Sequence, residues 1–204
     1  MYSEWLSRTT EYSTMYHELP RAATFWPFLF SVDQDLAQSA REKCCSCGGR
    51  LHRADYPRKP RGADDLPEDY GYRFSFCCER DGCRKRVTPP SVRFLGRTVY
   101  LFAVVVLVSA MRQGPSPRRV HELSQLFGAD RRTIARWQVF WREHVPQTPF
   151  WRIARGRLSV PAETLPRSLL EAFLGGDDPC RHWGLLLRFL SPITITGGLS
   201  SAFS

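Results

Sequence analysis

Six of the seven cysteines stand in two tight clusters, Cys44-Cys45-Ser46-Cys47-Gly48-Gly49 and Cys77-Cys78-Glu79-Arg80-Asp81-Gly82-Cys83. Thiolates supplied in pairs by short glycine-containing turns suit one Zn2+ ion, which takes four soft or borderline ligands at the corners of a tetrahedron. Cys44 and Cys47, a C-x2-C turn followed by two glycines, form the first half. Cys78 and Cys83 are the preferred second pair, because Arg73-Phe74-Ser75-Phe76 reads as a strand entering their turn. Cys45 and Cys77 are alternates, and His52 is a further candidate ligand. Four thiolates close the coordination sphere, so one Zn2+ per chain is expected to hold the fold and not to activate water. Disulfides are the competing reading. They need an oxidising compartment, and the opening Met1-Tyr2-Ser3-Glu4-Trp5-Leu6-Ser7-Arg8 lacks the basic lead and apolar run of a secretion signal.

A second group of side chains suits a different chemistry. Gly128-Ala129-Asp130 reads as a turn ending in a helix cap, and Arg131 to Arg142 comes next with Ile134, Trp137 and Trp141 at spacings of three and four. Arg131, Arg132, Thr133 and Arg136 are then expected toward solvent at the start and outer face of that helix. Arginine reads guanine through O6 and N7, and threonine contacts a phosphate or a thymine methyl. Between the cysteine clusters, residues 50–62 carry five Lys or Arg side chains among prolines and Tyr56. Of these, Arg58, Lys59 and Arg61 are candidates to track a phosphate backbone, the alternative being an exposed basic loop. Asp64, Asp65, Glu68 and Asp69 lie close together, but a catalytic Mg2+ site draws acids from separate rigid elements and not from one proline-containing loop.

The apolar pattern indicates the elements that must carry these groups. Residues 96–112 read as a helix apolar nearly all round, Pro115 and Pro117 break the chain, and Val120 to Phe127 repeats as a second helix. With Leu123, Phe127, Ile134 and Trp137 as a small core, these two and the arginine-rich helix make a helix-turn-helix. The run Val99 to Val108 is too short to cross a bilayer, which takes about 20 apolar residues. Upstream, residues 1–30 are aromatic-rich and expected to pack on the next domain, with Ser31 or Asp33 capping a short helix through Arg41. Thr88-Pro89-Pro90-Ser91, flanked by Arg84 to Arg86, Arg93 and Arg97, reads as a rigid basic linker. Downstream come a packed segment at 150–157 with peripheral phosphate contact, a helix from Pro166 to Leu174 and a short apolar helix or dimer contact at 185–190.

The expected fold class is mostly α with a small β zinc ribbon (α+β) and a three-helix helix-turn-helix unit. The expected segments are 1–43, an aromatic lead and short helix; 44–95, the ribbon with its basic loop; 96–145, the helix-turn-helix; and 146–204, an extension. Charge agrees with a polyanionic partner. The 204 residues carry a net charge of +9, and only Lys43, Lys59 and Lys85 among the 29 Lys and Arg residues are lysines. Between Arg112 and Arg157, ten arginines face three acids. Arginine suits planar bidentate contact with phosphate and guanine, so nucleic acid leads over an anionic membrane surface or a merely solvated one.

The run Cys44-x2-Cys47-Gly48-Gly49, then residues 51–62, then Cys78-x4-Cys83 and Arg84 to Arg97 resembles a bacterial family of uncharacterised, mobile-element-associated proteins over about residues 19–165. More broadly, a zinc ribbon followed by a helix-turn-helix resembles the N-terminal DNA-binding part of insertion-sequence transposases. The resemblance implies binding at transposon ends or at an adjacent regulatory site. Such transposases place a nuclease domain with three separated carboxylates afterwards, and only about fifty residues come after Phe150 here. No P-loop or nucleophile elbow occurs either. The expectation is therefore a zinc-stabilised, sequence-specific binder of double-stranded DNA that is not an enzyme, cytoplasmic and nucleoid-associated, with no membrane partner. A second copy of the chain or a transposase is a further expected partner. The rivals are a transposase or nuclease subunit completed by a partner, and a zinc-dependent protein-interaction scaffold.

Overall fold

In the computed structural model the described residues are 24–61, 66–96, 99–109, 121, 124–125, 127–158, 161–173 and 178–195. Among the described residues, two antiparallel sheets and six α-helices make the fold α+β. The order is α1 (Phe25–Glu42), β1 (Leu51–Arg53), β2 (Tyr56–Pro57), β3 (Tyr72–Arg73), β4 (Phe76–Cys78), β5 (Arg86–Val87), α2 (Phe102–Ser109), α3 (Arg131–Val139), α4 (Pro149–Ala154), α5 (Arg167–Phe173) and α6 (Pro179–Leu190).

The helix expected to start near Ser31 begins six residues earlier. Phe25, Trp26, Leu29, Val32, Asp33 and Ala37 form one buried stripe at helical spacing, and Pro27 falls in the first turn, where its missing N–H breaks no helical hydrogen bond. Neither expected cap acts as one. Ser31 donates back to the Phe28 carbonyl, and Asp33 is 2 % exposed in mid-helix. The C-terminal apolar helix is also longer than residues 185–190, because Asp178 caps it by accepting from the Arg181 N–H. It packs on α1, where Gly184 leaves no room for a side chain: a Cβ there would lie 2.4 Å from Phe28 Cε1.

β4 is the central strand of the larger sheet, in the order β1-β4-β5. Its register sets Leu51 opposite Cys78, His52 opposite Cys77 and Cys77 opposite Arg86. β2 and β3 pair separately, Tyr56 opposite Arg73. The helix expected over 96–112 starts only at Phe102. Gly96 turns the chain at φ +56°, and Tyr100 and Leu101 bridge to Arg61 and Phe94, which holds them extended. From there Phe102 to Val106 and Val108 are buried, as an apolar core helix requires. Residues 97–98 and 110–112 lie outside the described residues, as do Val120, Glu122, Leu123 and Leu126; His121, Ser124, Gln125 and Phe127 are helical.

One hydrophobic cluster takes Phe25 and Trp26 from α1, Val92, Phe94 and Leu95 from the segment after β5, Phe102 to Val106 and Val108 from α2, Ile134 and Trp137 from α3, Trp151 from α4 and Leu186 from α6. It thus draws on all four expected segments. A smaller cluster of Ala37, Leu51, Phe74, Phe76, Cys45 and Cys78 lies under the cysteine turns. The expected basic linker is turned inward at its centre. Arg93 is 1 % exposed, because Asp33 accepts from its Nε and the rings of Phe30, Tyr70, Phe74 and Phe94 surround its guanidinium.

Candidate metal centre and basic surface

Two chain reversals meet at the end of the three-stranded sheet. In the first, Gly48 at φ +78° donates to the Cys45 carbonyl and the Cys45 N–H donates to Gly49, closing a turn that feeds β1. In the second, β4 ends at Cys78, the Cys83 N–H returns to the Arg80 carbonyl, and the Cys78 N–H pairs with Lys85 as the chain enters β5. The turns bring the Sγ atoms of Cys45, Cys47, Cys78 and Cys83 within 4.8 Å of one another.

Cys45 stands where Cys44 was expected. Cys44 has φ +55°, is exposed, and donates its thiol to the Glu42 carbonyl, whereas Cys45 is buried beside Cys83. Strand alternation separates the other adjacent pair. Successive side chains leave opposite faces of a strand, so Cys78 enters the cluster while Cys77 points away and donates to the Arg84 carbonyl. His52 is outside the cluster, paired with Glu79 Oε2 at 3.3 Å on the surface.

The spacing fits a tetrahedral metal. Zn–S bonds of about 2.3 Å give sulfur–sulfur edges of about 3.8 Å. The observed separations are 3.7 Å for Cys45–Cys83 and 3.5 Å for Cys47–Cys78. A disulfide would bring two sulfurs to about 2.05 Å, and the six cysteines of the two clusters are free. The cluster can therefore hold one metal ion.

Backbone amides prepare the site for thiolates. The Cys47 amide holds the Cys45 thiol down to about 6. The Arg80 and Lys85 amides act likewise on Cys78 and Cys83, each two residues beyond its sulfur. There burial and neighbouring thiols win, pushing Cys78 up to about 12 and Cys83 in the same direction. Four thiols this close cannot all ionise without a cation among them. Arg80 ties the turns together by donating to the Cys47 carbonyl at 2.5 Å. Gly49 lies beneath it, where a Cβ would be 2.6 Å from Cys78 Sγ and 3.0 Å from Arg80 Cγ.

The arginine-rich helix is separate from the cysteines in the chain but not remote from the basic loop. Gly128 has φ +64°, and Asp130 caps α3 by accepting from the Thr133 N–H at 2.7 Å. Ile134 and Trp137 face the core, while Arg131, Arg132 and Arg136 are exposed. Thr133, expected toward solvent, is 7 % exposed; it sits over the cap, and its hydroxyl accepts from Arg136 at 3.3 Å. In the loop, Lys59 and Arg61 are exposed. Arg58 is half-buried, donating to the Gly96 carbonyl across the Phe94 ring, and burial pulls its pKa below the usual value.

No protein family, curated protein or solved structure that was compared matches this chain. Among the described residues, no helix is long and apolar enough to cross a membrane.

Proposed function

We propose that this chain is a zinc-stabilised protein that binds a specific site on double-stranded DNA. The observation that carries the reading is the pairing of a closed four-cysteine cluster with a capped helix whose exposed first turn is Arg131-Arg132. Cys45, Cys47, Cys78 and Cys83 would hold one Zn2+, and the sheet β1-β4-β5 with its two cysteine turns is then a zinc ribbon. The metal supplies cross-linking of the two turns; four protein ligands leave no open position for a reacting water.

The helical residues His121, Ser124, Gln125 and Phe127, the turn at Gly128 and α3 form the helix-turn-helix in this reading. Arg131, Arg132 and Arg136 meet the major groove, and the buried Thr133 supports the helix start without touching bases. The association with mobile elements rests on the resemblance of the cysteine and basic-loop motifs alone. In that setting the chain binds transposon ends or a neighbouring regulatory site, and it carries no reaction.

The test is titration of duplex DNA with the purified chain, with metal content measured on the same sample. About one zinc per chain and salt-sensitive binding that is lost in Arg132→Ala/Arg136→Ala supports the reading. Zinc without DNA binding overturns it and favours an interaction scaffold. Mg2+-dependent cleavage abolished by one carboxylate change would instead make the chain a nuclease subunit.

A further inference from the structure

The basic loop and the arginine-rich helix are far apart in the chain, with the second cysteine turn between them, yet a short series of contacts joins them. Arg61 bridges to Tyr100: its N–H donates to the Val99 carbonyl at 2.7 Å, and the Leu101 N–H donates to the Arg61 carbonyl at 3.0 Å. The Tyr100 hydroxyl donates to the Gly128 carbonyl at 2.8 Å, two residues before the Asp130 cap. Its ring stands edge-on to Trp137 of α3, with centroids 4.9 Å apart. Tyr100 therefore touches the turn before α3 and the buried side of α3 itself.

These contacts limit how far apart the two basic groups sit. One interstrand spacing, one tyrosine side chain, one hydrogen bond and three residues of chain bound the Arg61 to Arg131 Cα separation at roughly 30 Å. One turn of duplex is about 34 Å long. Among the described residues Lys59, Arg61, Arg131 and Arg132 have no carboxylate partner, whereas Arg53, Arg84, Arg142 and Arg167 each have one. Arginines and a lysine without carboxylate partners, with Arg61 linked to the start of α3 through Tyr100, favour a polyanion that presents several phosphates at once.

Resting on the DNA-binding reading, we infer that Lys59 and Arg61 form a phosphate clamp held by Tyr100 beside the start of α3, so that clamp and helix grip the same turn of one duplex. The clamp supplies affinity that does not depend on sequence, and α3 supplies the base contacts. Tyr100 is a positioning residue that touches no nucleic acid itself.

The experiment measures affinity of the full chain against salt concentration on a duplex of about 12 base pairs and on one three times longer. It compares wild type with Lys59→Ala/Arg61→Ala, whose unchanged zinc content and thermal melt establish that it folds. Each lost phosphate contact should lower the log-log salt slope by about 0.9, so the double variant should lose about 2 from the slope. The loss should appear on the short duplex, and base preference among competing sites should be retained. Tyr100→Phe keeps every charge, and weaker binding with an unchanged melt is the expected result. A double variant with an unchanged slope, or one that differs only on the long duplex, overturns the clamp while leaving α3 as the DNA reader. Absence of binding by the wild-type chain overturns both.

Discussion

Asp33 of α1 and Arg93 of the segment after β5 form an ion pair of 2.7 Å in which both side chains are almost wholly buried. The carboxylate also accepts from the Ser91 hydroxyl at 2.6 Å and from the Val92 N–H at 2.6 Å. Arg93 donates further to the Asp69 carbonyl at 2.8 Å. One carboxylate thus fastens the first helix to the chain leaving the cysteine sheet, through buried donors.

Removing one member of such a pair leaves the other charged and uncompensated. Asp33→Ala should cost about 3–5 kcal/mol, the usual scale for breaking a buried pair. Asp33→Ala/Arg93→Met should be markedly less destabilised than the sum of the single variants, since no charge remains in the core. Urea unfolding of the four chains checks this; additive losses would mean that the ion pair is not the coupling.

The choice between adjacent cysteines is open to metal analysis. Cys45→Ser should lose metal on dialysis against a mild chelator, whereas Cys44→Ser should retain the wild-type content. Retention by Cys45→Ser with loss by Cys44→Ser would reverse the ligand assignment.

Metal affinity should rise with pH. A thiol must lose its proton to bind, and in the metal-free chain Cys78 is pushed up to about 12 and Cys83 is raised too. Both are protonated at neutral pH, so binding one metal ion releases at least their two protons. As pH falls from 8 to 6, protons compete more strongly and the metal is lost more easily. Competition with a chelator of known proton affinity should give a slope of about 2 or more in log affinity per pH unit; a flat profile counts against thiolate ligation by these residues.

Two glycines mark close approaches. Gly184→Ala places a Cβ 2.4 Å from Phe28 Cε1, so α1 and α6 must separate or Phe28 must move. A loss of about 1–3 kcal/mol is expected, on the scale of overpacked cores. Gly49→Ala directs its methyl at Cys78 Sγ and should weaken metal retention more than it shifts folding of the helical part. Thermal melts with and without chelator separate the two effects.

Much of the candidate site was legible from local rules. Paired cysteines before glycines, the Asp130 cap and the Ile134/Trp137 spacing depend only on neighbouring residues, and the structure has the cap and the buried face where those rules put them. The fate of charged residues was not legible in the same way. Arg73 and Arg93 look like surface cations in sequence, but Arg73 donates to the Phe94 and Pro89 carbonyls and Arg93 meets Asp33, sixty residues earlier. No local pattern records a partner that distant.

The amino-acid sequence by itself determined that thiols come in two clusters, that α3 begins after Asp130 with arginines, and that the apolar stretch within 96–112 supplies a core helix. Only the tertiary structure decided which cysteine of each adjacent pair turns inward. At Cys77 and Cys78 that choice comes from pairing with β1, since alternate residues leave opposite faces of β4. At Cys44 and Cys45 it comes from a left-handed residue at the end of α1, which sends one thiol to solvent and the next over the sheet. Thr133 is likewise buried and not on the outer face where the arginine-rich first turn put it, although the Asp130 cap that its N–H completes is itself local.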